Sequence, residues 1–269
     1  MSSAGLRAVA RRIAPKCILR IREHLKWVRI REHYAQLPVA EAFSTTYRSR
    51  LWGNIEGEEF FSGVGSREEF GAPYTDWVRR FILERNIGTV VDLGCGDYRV
   101  GRQICSAALV TYVGVDIVPD LVAYNQSRFG GERVGFTCMN IIEDQLPDGD
   151  LCLIRQVLQH LSNKQISRVL TNCAKYPYLI VTEDVYSGAR VRPNLDIRHG
   201  PDNRLFRRSG VFLDHAPFAL RTQNVLEIPC PQTHSVIRTC LIERELTTNQ
   251  KDGVPDTSGL GSRDHSAAV

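Results

Sequence analysis

Three observations predict an α/β fold with a seven-stranded, mostly parallel sheet, one antiparallel edge strand, and helices on both faces. Short apolar runs alternate with helical patterns from residue 89 to residue 183. A glycine-rich turn, VVDLGCGDYRVG at 90–101, closes the first of those runs. Two more strand-like runs follow near the end of the chain, with only a proline-containing turn between them, which suggests an antiparallel pair at one edge.

Taken in order, residues 1–36 read as a basic amphipathic helix broken near Pro15, with Ile18, Ile21, Leu25 and Val28 at helical spacing. Residues 37–245 make the main domain and 246–269 a polar, glycine-rich tail. Residues 43–71 carry Trp52, Phe60 and Phe61 without a steady period, so an ordered loop fits better than a linker. A helix over 73–85 opens on Pro73 and sets Trp77, Val78, Phe81 and Ile82 on one face. Strand TVVDL (89–93), a helix over 100–108, strand TYVGVD (111–116) and a helix opened by Pro119 come next. Then follow VGFTCM (134–139), DLCLIR (150–155), a helix that Ser162 and Gln165 start as a capping box, and YLIVTE (178–183). NVLEIP (224–229) and SVIRTCLIERE (235–245) complete the seven strands after a long irregular section, 184–223, in which Phe218 and Leu220 read as core.

With 43% apolar and 24% charged residues over 269 positions, the chain can bury a core. No window approaches the ~18 apolar residues that span a bilayer. Residues 1–34 hold nine Lys/Arg and two acids, a net +7 that leaves −3 for everything after them. That segment is open to three readings: a solvated helix against the domain, attachment to an anionic membrane surface, or a targeting peptide, the last weakened by Glu23 and Glu32. The eight cysteines show no C-x-x-C pair and no secretory leader is apparent, so a reducing, cytoplasmic setting is expected, with possible membrane association. No metal site is expected: His199 and His215 lack a second ligand at helical spacing.

In open α/β sheets the ligand sits beyond the carboxyl ends of the strands, where the 90–101 turn falls. Gly94 and Gly96 let the backbone turn tightly and approach a ligand. The third glycine, Gly101, is too far along for G-x-G-x-x-G, and Asp92 beside the turn suits an ammonium better than a pyrophosphate. Asp116 ends the second strand, where a carboxylate can accept from both ribose hydroxyls.

On these residues the sequence resembles the class I S-adenosylmethionine-dependent methyltransferases, a Rossmann-like fold. VVDLGCGDYRVG is similar to their first motif, YVGVDIVPDLV to their second, and DLCLIRQVLQHLSN to the motif after the fourth strand. The likeness spans roughly 74–183 and implies S-adenosylmethionine as cofactor. It places Asp92, Gly94 and Gly96 at the methionine end, Asp116 and Ile117 at the ribose, Asn140 and Ile141 beside the adenine, and Arg155 and Gln156 near the methyl-transfer site. Asn140 stands where the family often has an acid, yet it can still bond an exocyclic amine. Tyr47, the Trp52–Gly53 pair and SGVGS at 62–66 resemble a narrower group of bacterial methyltransferases of glycan and secondary-metabolite pathways, which puts the 43–71 loop over the pocket and Tyr47 and Trp52 toward the acceptor.

Methyl transfer to a hydroxyl needs a nucleophile held in line and a proton removed. His160 is the candidate base, the alternative being a residue that merely packs the helix start. Glu183 or Asp184 at the fifth strand end would bind or deprotonate the acceptor, or else be a solvated strand end. Six arginines between 190 and 208, Arg204 and Arg207 among them, suggest an acceptor bearing phosphate or carboxylate; a solvated basic loop is the plain alternative. The function expected is therefore O-methylation of a small or glycan-type acceptor. An RNA or protein methyltransferase, a non-catalytic S-adenosylmethionine-binding protein and a NAD-dependent dehydrogenase are the alternatives.

Overall fold

In the computed structural model, which describes residue 22, residues 25–106 and residues 109–244, every predicted apolar run forms a strand. These are β1 (Thr89–Leu93), β2 (Thr111–Asp116), β3 (Val134–Cys138), β4 (Leu151–Arg155), β5 (Tyr178–Tyr186), β6 (Gln223–Cys230) and β7 (Ser235–Glu243). They form one sheet in the order β3-β2-β1-β4-β5-β7-β6. β1 to β5 pair in parallel, and β7 runs antiparallel to both β5 and β6. The predicted antiparallel pair at one edge is thus β7 and β6, with the opposed strand β7 one place in from the rim.

Among the described residues six α-helices accompany the sheet: α1 (residues 25–34), α2 (Val39–Arg48), α3 (Glu68–Glu84), α4 (Arg99–Cys105), α5 (Pro119–Phe129) and α6 (Asn163–Asn172). Side chains alternate across each strand, so the sheet carries two cores. Val91, Leu93, Cys152, Ile154, Leu179 and Val181 pack with Ile166, Val169 and Leu170 of α6. Val90, Leu151, Leu153 and Ile180 pack with Tyr74, Val78 and Phe81 of α3, Ile104 of α4 and Val122 of α5. Phe218 and Leu220 pack against the α6-side core, as read from the sequence.

The structure corrects three boundaries. α3 begins at Glu68, so Pro73 lies inside the helix and not in its first turn. The missing Pro73 N–H costs one bond to the preceding turn, offset by burial of Tyr74, Thr75 and Val78. Residues 43–48 of the expected loop are the second half of α2, whose Ala42 and Thr46 are buried. α4 runs from Arg99 to Cys105, while 107–108 lie outside the described residues.

The capping box is present: Ser162 accepts from the Gln165 N–H while the Gln165 side chain accepts from the Ser162 N–H. Ser162→Ala should therefore lower stability by about 1 kcal/mol, read as a shift of the urea midpoint at unchanged slope.

The section 187–222 holds no α-helix and is organised by two buried polar side chains. Asn194 donates to the carbonyls of Phe212, His215 and Ala216 and accepts from the Phe212 N–H. Arg204, 1% exposed, does the rest of the work described below. The last turns of the basic N-terminal segment dock here: Arg31 Nε lies 2.5 Å from Asp202 Oδ2, its guanidinium covers the Phe206 ring, and Tyr34 is buried. The break expected at Pro15 and the tail 246–269 lie outside the described residues, as does most of the segment proposed to meet a membrane. Among the described residues no helix is long and apolar enough to cross a membrane.

Candidate active site

A cavity of about 680 Å³ lies across the carboxyl ends of β2, β1, β4 and β5. Strand order reverses between β1 and β4, the place where open α/β sheets hold ligands. All eight residues expected at the cofactor (Asp92, Gly94, Gly96, Asp116, Ile117, Asn140, Ile141 and Arg155) line this cavity.

Alternation along β1 and β4 turns Asp92 and Arg155 to the α3 face, where Asp92 is buried and Arg155 half-buried. Asp92 accepts from the Tyr112 hydroxyl at 2.6 Å. Burial pushes its carboxyl up to about 6, against the pull of Tyr112 and Arg155. Arg155 Nη2 donates to the Gly65 and Phe70 carbonyls, whereas its buried Nε has no partner. At the end of β2, Asp116 accepts from the Gly96 and Val118 N–H groups, each at 3.1 Å. Its burial raises the carboxyl pKa, and those backbone donors oppose the rise. Asn140 uses its amide locally, accepting from the Ile142 N–H and donating to Glu143, so its own turn holds it in the cavity wall. Cys95 is half-buried beside Asp116, Asp92 and Asp97, and burial together with those carboxylates raises its thiol pKa well above normal.

The loop after α2 closes over the glycine turn. Ser62 N–H donates to Asp97 Oδ2, Asp97 N–H donates back to Ser62 Oγ at 2.8 Å, and Tyr47 Oη sits 2.9 Å from the same Oγ. Gly94 and Gly96 have φ of +76° and +57°, and a Cβ on Gly96 would lie 2.4 Å from Ser62 Oγ. This cradle and the orphaned Arg155 donor fit S-adenosylmethionine, which brings a carboxylate and an ammonium on one end and a ribose diol on the other. Gly96→Ala should weaken S-adenosylhomocysteine binding about tenfold by calorimetry, since the left-handed conformation alone costs an alanine about 1–2 kcal/mol. An unchanged Kd would contradict this picture of the turn.

Beyond β4 the backbone is strained at Gln156 (φ +57°), whose N–H donates to the Thr182 carbonyl at 2.7 Å. The tight turn that follows, residues 157–161, carries His160 into the cavity wall. His160 Nδ1 donates to the Asp202 carbonyl at 3.1 Å, because a carbonyl can only accept. Nε2 is then the lone-pair nitrogen, with the Gln159 amide 3.4 Å away. Burial depresses the imidazole to about 4, helped by Arg204, so His160 is neutral around pH 7. Trp52 packs 5.0 Å from its ring and donates Nε1–H to the Pro201 carbonyl at 2.9 Å.

Glu183 and Arg204, both expected to face substrate, do something else. Glu183 Oε1 accepts from the Val157 and Leu158 N–H groups and Oε2 from Gln159, and it takes no part in the cavity lining. Burial still pushes its carboxyl up to about 7. Arg204 donates to the carbonyls of Leu195, Leu158, Gln159 and Leu161 and to Asn163 Oδ1. The peptide groups of 157–161 are therefore held from one side by a carboxylate and from the other by a guanidinium. Arg207 lies over the Phe206 ring, away from the cavity, and Arg190, Arg192, Arg198 and Arg208 are exposed. The arginine basis for a phosphate- or carboxylate-bearing acceptor is thereby removed. Asp184, by contrast, lines the cavity, as do Tyr47 and Trp52.

Sequence reasoning missed Tyr112, Gln159, and the wall formed by Gln232 and Thr233. Asp97 and Ser62 stood inside quoted motifs, but their reciprocal bonds join segments 35 residues apart and leave no local signal.

Residues 90–176 match the model of a family described as a methyltransferase domain. Among solved structures, the N-methyltransferase NodS from Bradyrhizobium japonicum WM9, in complex with S-adenosylhomocysteine, is similar at 13% identity and TM-score 0.52, over 74% of this chain and 97% of that one. A 1,6-didemethyltoxoflavin-N1-methyltransferase from Burkholderia thailandensis, with its substrate and S-adenosylhomocysteine, is similar at 16% identity and TM-score 0.50, over 77% of this chain and 88% of that one. Human N-acetylserotonin methyltransferase in complex with SAM is similar at 15% identity and TM-score 0.46, over 78% of this chain, which spans 61% of the human one. The first two likenesses show a shared fold. No curated protein matches the sequence.

Proposed function

We propose that this chain, which carries a class I S-adenosylmethionine-dependent methyltransferase domain, O-methylates a small hydroxyl-bearing acceptor of glycan or secondary-metabolite type. The observation that carries the proposal is His160: a neutral imidazole in the cavity wall with Nδ1 committed to Asp202 and Nε2 left to accept a proton. S-adenosylmethionine supplies an electrophilic methyl group on a sulfonium. The residues of the chain do the rest. Asp116 holds a diol, Asp92 and Arg155 hold the charged end, and Tyr47 and Trp52 cover the cavity and exclude water. His160 Nε2 accepts the hydroxyl proton as the new carbon–oxygen bond forms. Aromatic cover from Phe43, Tyr47, Trp52 and Phe70 supports a small acceptor over a polymer.

The test is release of S-adenosylhomocysteine from S-adenosylmethionine across a panel of small hydroxyl, amine and carboxylate acceptors. Turnover confined to hydroxyl-bearing compounds is expected. Turnover of amines lacking a hydroxyl would replace O- with N-methylation, and cofactor binding without turnover of any acceptor would point to a binding protein.

A further inference from the structure

The wall beyond β5 bears on the charge of the acceptor. Alternation along β5 sends Glu183 to the α6 face and turns Thr182 and Asp184 to the α3 face, the one shared by Asp92 and Arg155. Thr182 is satisfied by Thr239, their hydroxyl oxygens 3.0 Å apart. Asp184 reaches the cavity beside Cys230, Gln232, Thr233 and Ile237, and its buried Oδ1 has no hydrogen-bond partner. A buried acceptor atom left without a donor is costly, more so when it belongs to a carboxylate. Nothing cationic nearby relieves it. Among the described residues the cavity lining contains one basic residue apart from the neutral His160, namely Arg155, and its Nη2 is spent on the Gly65 and Phe70 carbonyls. Glu69, Asp92, Asp97 and Asp116 are further acids in the same lining. Burial also raises the Asp184 pKa, and the Ser235 hydroxyl opposes the rise.

We infer that Asp184 anchors a cationic amino group of the acceptor, so that the molecule methylated is an amine that also carries the reacting hydroxyl. The inference rests on the methyltransferase reading of the cavity and specifies its substrate class. An ammonium supplies the N–H donor that Oδ1 lacks and cancels the charge; a neutral hydroxyl supplies only the donor, and a carboxylate is repelled.

Three probes of one shape separate these cases: tyramine, tyrosol and the matching hydroxyphenylpropionate, titrated calorimetrically at pH 7 into protein saturated with S-adenosylhomocysteine. Tyramine should bind about tenfold or more tightly than tyrosol, as a charge-assisted bond requires, and the carboxylate most weakly. In Asp184→Asn the tyramine advantage over tyrosol should vanish. Equal binding of tyramine and tyrosol, tighter binding of the carboxylate, or an advantage that survives in Asp184→Asn would overturn the inference. The initial S-adenosylhomocysteine titration reports separately on the underlying reading: if that ligand does not bind, the methyltransferase assignment fails first.

Discussion

Arg204→Met is expected to destabilise the fold by about 3–5 kcal/mol, the range for stripping one partner from a buried charged network. Arg204 is 1% exposed and donates to four backbone carbonyls and one side-chain amide. Methionine fills much of the volume but leaves the carbonyls of Gln159 and Leu161 without donors in a dry interior and strips Leu158 of one of its two, the Leu161 N–H remaining. It also removes the positive charge that favours ionised Glu183 on the far side of the same turn. Arg204→Lys should recover little, because one ammonium on a flexible stem cannot span carbonyls from Leu195 to Leu161. The measurement is the urea midpoint at unchanged slope. A loss under about 1 kcal/mol would mean that the 157–161 turn is held by packing alone.

This result also explains where the sequence was legible and where it was not. Strands and their order of use follow from local pattern: TVVDL and DLCLIR alternate apolar side chains between two cores, and Ser162 with Gln165 announces α6 within four residues. The glycine-turn end of the cavity was equally readable, because Asp92, Gly94, Gly96 and Asp116 sit at strand ends and on a turn whose backbone conformation demands glycine. The acceptor end was not. Glu183 and Asp184 are adjacent and equally acidic, yet one residue of pleat decides which faces the cavity and which supports the turn. Arg204 and Arg207 differ likewise: the buried one binds carbonyls 43 to 46 positions away, a pairing that composition cannot reveal. A cluster of arginines in sequence says nothing of how many point inward. The helix at 39–48 does carry a helical period, Val39, Ala42, Phe43 and Tyr47, but over ten residues only, and it runs across the point where the aperiodic 43–71 stretch begins.

His160→Ala is expected to lower kcat/KM by a factor of about 10²–10⁴ with the best acceptor found, the usual contribution of a positioned general base. S-adenosylhomocysteine affinity should stay close to wild type, since His160 is not among the residues proposed to hold the cofactor. The pH dependence distinguishes a base from a packing residue. Burial holds the imidazole down to about 4, so the wild-type acid limb should fall near pH 4 to 5 and not near the 6.5 of a free imidazole, and the variant should lose that limb. Stability carries the same signature with a definite sign. With the folded-state pKa below the unfolded one, protons bind the unfolded chain first, so falling pH between about 6.5 and 4 destabilises wild type relative to His160→Gln. Asp92, raised to about 6, acts in the opposite sense over part of that window, but it is common to both proteins and cancels in the difference. A variant within threefold of wild-type kcat/KM, with its acid limb unmoved, would reduce His160 to a packing partner of Trp52 and pass the proton to solvent.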